Sequence, residues 1–446
     1  MMNAAGSDAV PQASVIIATY NWSAALACAI TSALRQSLRD FEILVIGDAC
    51  TDDSAAVVSG FSDPRIEWIN LDANSGSQQG PNNHGLRIAR GEWIAYLGHD
   101  DIWAPRHLES TIGAARAAGA DAAAGGMIMY GPPGSDATAT AGLFADGRCS
   151  DDDFVPPSAL VHRRALVERI GYWRDPRALQ LPTDCEFFQR VRAASAIVPS
   201  NEVTVFKCNA AARRNAYQSK SIVEQRALFA GLDRGDRFVA EQLVKVVAAL
   251  YAGRSYRIRM PDPADVDAGD FFRANRIAKG VEPRFPADQL RSLDAAEAFG
   301  LDHEATEYEW NALERDPHFG SFRWTGPARQ STIELPIRLD RLLAMRIHVP
   351  WVIAGQSIDD IAVRAQGAAV DVVVERGEPD GWILSGVIDP ARHASYMPYV
   401  QITLSGITAA RPADIGINPD RRRLGIAVSR VELSPAGGST LESPMD

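Results

Sequence analysis

The sequence predicts an open α/β sheet at its N-terminal end, followed by a helical segment and an all-β sandwich. Three observations lead there. Over the first hundred residues short apolar runs alternate with helix-period patterns, the mark of βαβ units in a parallel sheet covered on both faces. Carboxylates directly follow the second and fourth apolar runs, at Asp48 and at Asp100-Asp101. Beyond roughly Thr325 the pattern changes to short segments of alternating polarity with Gly and Pro between them.

Ser14 to Thr19 reads as the first strand, and a helix from about Ser23 to Gln36 places Leu26, Ile30, Ala33 and Leu34 on one face. Phe41 to Ile46 is the second strand. It ends in Gly47-Asp48-Ala49-Cys50-Thr51-Asp52-Asp53-Ser54, a polar turn rich in helix-start residues. Arg65 to Asn70 gives a third strand and Glu92 to Leu97 a fourth, the latter ending at Gly98-His99-Asp100-Asp101. A polar, glycine-rich loop, Asn74 to Gly85, precedes Leu86 to Arg90, and Gly125 to Asp153 reads as long connections.

Further on, Thr183 and Glu186 have the spacing of a capping box, which puts Asp184 in the first turn of a helix, where the dipole favours an ionised carboxylate. From Phe206 to about Leu313 the reading is helical, with Val239, Leu243, Val247 and Leu250 as a core-facing stripe. Thr332 to Ile337, Val370 to Glu375 and Tyr399 to Leu404 read as sandwich strands, and Arg422 to Leu433 as a long closing strand. Trp351 and Trp382 are either sugar-stacking rings or sandwich core.

A chain of 446 residues exceeds what one core normally serves. The expected division is a flexible start over 1–12, an α/β domain over 13–210, a helical extension over 211–324, a β-sandwich over 325–436 and a flexible tail over 437–446. Charged residues at 23% and apolar residues at 46% exclude a disordered or fibrous chain, and a net charge of −11 argues against a nucleic-acid partner. The 5 cysteines are odd in number and form no C-x-x-C pair, so neither a disulfide framework nor a structural zinc is expected. Residues 1–12 lack the basic start and apolar core of a secretory signal, and no apolar run is long enough to span a bilayer. The expected location is therefore the cytoplasm, with peripheral contact at the inner face of the membrane left open.

In open parallel sheets ligands bind beyond the carboxyl ends of the strands, so Thr19-Tyr20-Asn21, Asp48 and Asp100-Asp101 should converge on one cleft. No Gly-x-Gly-x-x-Gly follows the first strand and no P-loop occurs, so a nucleotide would have to be held in another way. Acids in such a cleft repel a bare diphosphate unless a hard divalent cation bridges them, which makes Asp100 a candidate ligand for Mg²⁺ or Mn²⁺. Asp101, just before Ile102-Trp103-Ala104-Pro105, reads as a ligand-binding acid or a structural one. His99 reads as a neighbour of the site rather than a ligand to a hard cation.

Val15-Ile16-Ile17-Ala18-Thr19-Tyr20-Asn21, the turn Gly47 to Ser54 and Tyr96-Leu97-Gly98-His99-Asp100-Asp101 together resemble the inverting glycosyltransferases of family 2, which have the GT-A fold. The resemblance covers residues 13–210 and implies a GT-A nucleotide-diphospho-sugar transferase-like sheet. It implies that Thr19 and Tyr20 border the nucleoside base, with Asn21 beside them, that Asp48 contacts base or ribose, and that Asp100 holds the metal. It implies further that Asn82 and Arg87 approach the nucleotide from the glycine-rich loop and its helix, and that Asp184 is the general base. Gly98 stands where such enzymes often have the first acid of the metal motif, so weaker metal dependence is expected. Arg213-Arg214-Asn215 either meet phosphate or lie on the surface. The implied partners are a nucleotide-diphosphate sugar and a saccharide or lipid-linked saccharide acceptor. Rival readings are a sugar nucleotidyltransferase and a non-catalytic carbohydrate-binding protein.

Overall fold

The computed structural model describes residues 10–133, 135–144, 146–264, 266–301, 309–326, 330–377, 381–391, 399–420 and 422–436. Residues 1–9 of the expected flexible start and the whole expected tail, 437–446, lie outside the described residues. The chain divides into two compact units, Met1–Gly131 with Ala137–Glu282 and Pro132–Asp136 with Pro283–Asp446.

The first unit is built from β1 (Ala13–Thr19), α1 (Ser23–Leu34), β2 (Phe41–Gly47), α2 (Ser54–Ser59), β3 (Ile66–Asn70), α3 (Gln79–Ile88) and β4 (Trp93–Tyr96). There follow β5 (Asp101–Trp103), α4 (His107–Ala118), β6 (Ala122–Tyr130), β7 (Thr138–Ala141), β8 (Leu160–Arg163), α5 (Leu166–Ile170), α6 (Thr183–Ala194) and β9 (Ile197–Cys208). The unit ends with α7 (Ala216–Ser219), α8 (Val223–Gly231), α9 (Asp236–Tyr251), β10 (Ser255–Arg257) and α10 (Asp270–Lys279). Its strands form one open mixed sheet in the order β10-β7-β6-β8-β4-β1-β2-β3, with β9 added beside β6 and β5 beside β9. β4, β1, β2 and β3 run parallel, with Ile16 opposite both Leu44 and Tyr96, as the alternation of apolar runs and helices predicts.

β1 and β2 are buried along almost their whole length because helices cover both faces. Two polar residues inside them are satisfied: Ser14 Oγ donates to Glu42 Oε1 at 2.6 Å and accepts from the Gly91 N–H at 2.8 Å. A buried polar chain joins three more elements. Trp173 Nε1 donates to Tyr96 Oη at 3.2 Å, Tyr96 Oη lies 3.1 Å from His162 Nε2, and His162 Nδ1 lies 2.9 Å from the Arg163 carbonyl. With Nδ1 donating to the carbonyl, Nε2 is left to accept from Tyr96, so this arrangement requires a neutral imidazole.

Several sequence expectations give way here. Gly125 to Asp153 is not all connection, since β6 and β7 pair across it. Alanine and glycine weaken a strand signal that the sheet context then supplies. The segment expected as a helical extension contributes α7 to α10 to the first unit, whereas its last residues are strands of the second. On α9 the supposed core face is largely open: Val239 packs against a core cluster, but Leu243 is 38%, Val247 50% and Leu250 61% exposed, and Phe238, Gln242 and Ala249 are buried instead. The capping box at α6 does not form, because Thr183 Oγ1 donates to the Arg174 carbonyl and Glu186 pairs with Arg174 and Arg190.

In the second unit the strands are β11 (Glu297–Gly300), β12 (Trp310–Asp316), β13 (Gly320–Thr325), β14 (Gln330–Leu335), β15 (Leu343–Val349) and β16 (Ala362–Ala365). Then come β17 (Ala368–Val370), β18 (Val372–Arg376), β19 (Trp382–Ile388), β20 (Val400–Ser405), β21 (Ala427–Val428) and β22 (Arg430–Pro435). They make three antiparallel sheets, β11-β22-β15-β19-β18, β12-β13-β21 and β14-β20-β16-β17. Ile333, Met345, Leu384, Ile402 and Val431 share one core between them. The long closing strand expected over 422–433 is broken into β21 and β22. Trp351 packs against Phe319, Phe322 and Trp324, and the Arg376 guanidinium covers the Trp382 ring. Among the described residues no helix is long and apolar enough to cross a membrane.

Burial holds the His107 imidazole down at about 3 and the His162 imidazole at about 4, against an ordinary value of 6.5. A histidine whose folded pKa is depressed binds its proton more readily when unfolded, so its contribution to stability falls as pH drops below 6.5. Each should cost about 2 kcal/mol between pH 6.5 and 5. Asp101 and Asp184, raised by burial, act in the opposite direction. The expected result is therefore read as a difference: melting temperature should decline less from pH 7 to pH 5 in a His107→Gln variant than in the wild type.

Candidate functional site

The carboxyl ends of β1, β2 and β4 open into one cavity of about 570 Å³. Thr19, Tyr20, Asp48, Asn82, Asp100, Asp101 and Asp184 all lie in its wall, so residues far apart in sequence are brought to one place as the parallel-sheet rule requires. Thr19 Oγ1 is buried and has no hydrogen-bond partner among the described residues. Two expected residues do not line the cavity. Asn21, at φ 46°, turns its side chain to accept the N–H groups of Thr51 and Asp52, and so fastens the end of β1 to the turn after β2. Arg87 is exposed on α3, with its guanidinium 5.0 Å from the centre of the Tyr172 ring.

Asp48 is 4% exposed and accepts from the backbone N–H of Ser75 at 2.8 Å and of Gly76 at 3.2 Å. Burial raises its carboxyl above the usual range, and these two bonds oppose the rise. The glycine-rich loop is thus a structural partner of Asp48. Gly76 sits at φ 81°, a conformation open to glycine at little cost, and its carbonyl accepts from Arg276 of α10 at 2.9 Å.

After β4 the two acids separate in role. Asp101 is 1% exposed, takes the Lys207 ammonium at 2.9 and 3.0 Å, and accepts the Ser158 hydroxyl as well. Asp101 and Lys207 stand opposite each other in the β5–β9 pairing. Asp101 is thus held by protein partners while it borders the cavity. Asp100 lies 3.9 Å from the same ammonium. Burial would raise its carboxyl, but Lys207, His99 and Lys279 outweigh that and hold it below the usual range. Gly98 is required here: a Cβ would stand 2.7 Å from Asp101 Oδ2 and 3.3 Å from Asp100 Oδ1.

His99 Nε2 lies 3.2 Å from Tyr217 Oη and its ring packs edge-on between Trp22 and Tyr217, while its buried Nδ1 has no hydrogen-bond partner among the described residues. Arg213 is occupied. Its guanidinium bonds the carbonyls of Tyr130, Asn209 and Gly131 and pairs with Glu224.

Asp184 opens α6 from the other side of the cavity. Phe187 of the same helix stacks on Trp173 at 4.4 Å and 5°, and Trp173 exchanges two 2.9 Å hydrogen bonds with Asn83 of α3. The carboxylate accepts the Cys185 N–H at 3.0 Å, but burial dominates and raises its pKa. A helix N-terminus alone led to the opposite expectation, that the group stays fully ionised. It is instead a carboxylate readier to take a proton, as a general base must be.

Lys207, Ser158, Tyr217 and the whole of α10 were not foreseen as part of the site. A lysine inside the apolar run Val203 to Cys208 was the available signal for Lys207, since a buried ammonium must be paired. Lys279 and Arg276 of α10 had no local signal.

A divalent cation fits this wall at one point. Asp101 is taken up by Lys207 and Ser158, Asp48 faces backbone N–H groups, and among the described residues no cluster of three His, Cys, Asp or Glu side chains is arranged for a metal. Asp100 and Asp184 remain, and of the two Asp100, held ionised by Lys207, His99 and Lys279, suits an ion that takes most of its oxygens from phosphate and water.

Lys207→Met should lower stability by about 3–5 kcal/mol, because it leaves the Asp101 charge buried and unpaired. The double variant Lys207→Met/Asp101→Asn should recover part of that loss in a melting experiment, whereas a packing role for the lysine stem alone predicts no recovery.

The chain is similar to known proteins over part of its length. Residues 14–143 match the model of Glycosyl transferase family 2. The succinoglycan biosynthesis protein ExoO of Rhizobium meliloti is 40% identical over 122 residues, 27% of this chain and 35% of that protein. An Escherichia coli protein, the UDP-Glc:alpha-D-GlcNAc-diphosphoundecaprenol beta-1,3-glucosyltransferase WfaP, is 34% identical over 99 residues, 22% of this chain and 39% of that protein. The chain thus spans little more than a third of either relative's length. The crystal structure of S. aureus TarS 1-349 superposes with a TM-score of 0.37 at 20% identity, covering 45% of this chain and 61% of that one. The similarity to glycosyl transferase family 2 therefore lies in residues 14–143, and a separate β-rich unit follows in the same chain.

Proposed function

We propose that the chain is an inverting glycosyltransferase that moves a sugar from a nucleotide-diphosphate donor to an acceptor hydroxyl in the making of a bacterial surface glycan. The observation that carries this reading is the meeting of Asp48, Asp100 and Asp184 in one cavity at the carboxyl ends of parallel strands. Thr19, Tyr20 and Asp48 border the nucleoside, with Asn82 beside them, and Asp100 faces the diphosphate. A bound Mg²⁺ or Mn²⁺, held by Asp100, would neutralise charge on the leaving diphosphate.

Asp184 takes the proton of the acceptor hydroxyl as its oxygen attacks the anomeric carbon from the face opposite the diphosphate. One displacement inverts that centre and needs no covalent sugar–enzyme intermediate. The acceptor is a saccharide or a lipid-linked saccharide, in keeping with the diphosphoundecaprenol-linked acceptor in the name of the E. coli relative. On this reading the enzyme works in the cytoplasm at the inner face of the membrane, where a lipid-linked acceptor would be met.

The first test is melting temperature of wild type and Asp100→Ala with UDP, GDP, dTDP and CDP, with and without Mn²⁺. A rise with one diphosphate that shrinks in the variant supports the donor site and names its base. No rise with any of them removes the donor site and moves the function to the β-rich unit. In transfer assays Asp184→Asn should lower kcat by about 10²–10⁴-fold with nucleotide binding intact. Because burial raises Asp184, the acid limb of the wild-type pH–rate profile should lie above the ordinary carboxylate value of 3.8. A limb at or below it would remove Asp184 from the role of base.

A further inference from the structure

Lys279 stands apart from the other cations of the cavity. It closes α10, half-buried in the cavity wall, and has no hydrogen bond or ion pair among the described residues. The centre of the Tyr217 ring lies 5.5 Å from its Nζ. The rest are accounted for: Lys207 is held by Asp101, and Arg276 by the Gly76 carbonyl and Glu282. Burial pulls the Lys279 ammonium down from its ordinary value, while Asp100, Asp184 and Asp101 act to keep it charged. An ammonium drawn into a cavity without a partner is costly unless an anion joins it there.

The position is fixed rather than adventitious. The Asn215 N–H donates to the Ala278 carbonyl at 3.1 Å, Gln218 Nε2 to the Gly280 carbonyl at 2.7 Å, and Arg276 ties α10 to the loop that carries Asp48's partners. Tyr217, beneath the ammonium, is bonded to His99 next to Asp100. Of the acids in the same wall, Asp101 is bound by Lys207 and Ser158 and Asp48 by backbone N–H groups.

We propose that Lys279 is a diphosphate-binding residue, an ammonium that the protein itself supplies to the leaving group, so that a nucleoside diphosphate is retained when divalent metal is removed. This rests on the donor-site reading above. Lys279 lies well beyond the matched family domain at 14–143, so it belongs to this chain's own α10 and not to the matched segment. As the carbon–oxygen bond to the sugar breaks, the electron pair goes to the β-phosphate oxygen, and a neighbouring ammonium stabilises that charge without a proton transfer.

The test is calorimetric binding of the nucleoside diphosphate that the wild type prefers, and of its monophosphate, in Mn²⁺ and in EDTA, to wild type, Lys279→Gln and Lys279→Arg. We expect the wild type to keep measurable diphosphate binding in EDTA. Lys279→Gln should weaken diphosphate binding by about 10–100-fold, the monophosphate by much less, and Lys279→Arg should restore most of it. Equal melting temperatures of the three proteins without nucleotide exclude a folding defect. If Lys279→Gln binds the diphosphate as the wild type does in both conditions, the proposal is overturned and the donor site stands. If the wild type binds in Mn²⁺ but not in EDTA, the ammonium does not substitute for metal and the proposal also falls. If no diphosphate binds the wild type at all, the donor-site reading itself fails.

Discussion

Four carboxylates, Asp48, Asp100, Asp101 and Asp184, face one cavity, and such a group cannot remain ionised together away from water unless cations are set among them. Lys207 supplies the central cation. It comes from β9, pairs with Asp101 across the β5–β9 ladder, and lies close enough to Asp100 to hold that acid ionised. The same ammonium binds the two adjacent acids unequally, Asp101 at 2.9 Å and Asp100 at 3.9 Å. Gly98 belongs to this arrangement, because any side chain there would press on both carboxylates.

The second fixed relation is that of Asp184 to the sheet. α6 is not anchored by its cap. The Trp173–Phe187 stack, the Asn83–Trp173 pair and the Trp173–Tyr96–His162 chain tie the helix to α3, β4 and β8. These contacts are buried and fully satisfied, which is where polar networks rigidify a structure rather than weaken it. A base opposing a donor site needs that rigidity, since small misplacements of reacting groups are costly to rate.

The second unit has a core of its own, and its aromatic residues are largely spent within it. Trp351 belongs to a four-ring cluster and Trp382 carries an arginine on its face, so the tryptophans that read as sugar platforms act first as packing groups. α9 shows the reverse. Its apolar stripe has helical spacing yet stands exposed, because spacing identifies an amphipathic helix without saying what covers it.

Local pattern was enough for the parallel strands β1 to β4, the helix after β1, the acidic turns at Asp48 and Asp100 and the helix start at Asp184. Each depends on interactions within a dozen residues or on the rule that places ligands at strand ends. Through these the sequence determined the sheet, the cleft and its acids. It did not determine the pairing of β6 with β7, the limits of the second unit, or which acids are neutralised. It misplaced Asn21 and Arg87, whose side chains turn to Thr51 and Tyr172. Those outcomes rest on contacts between separate elements of the chain, as with Lys207 and Asp101, 106 positions apart, or Lys279 and Tyr217 from separate helices. Charge balance in a cavity is a property of all the groups that enclose it, and only the tertiary structure brings them together.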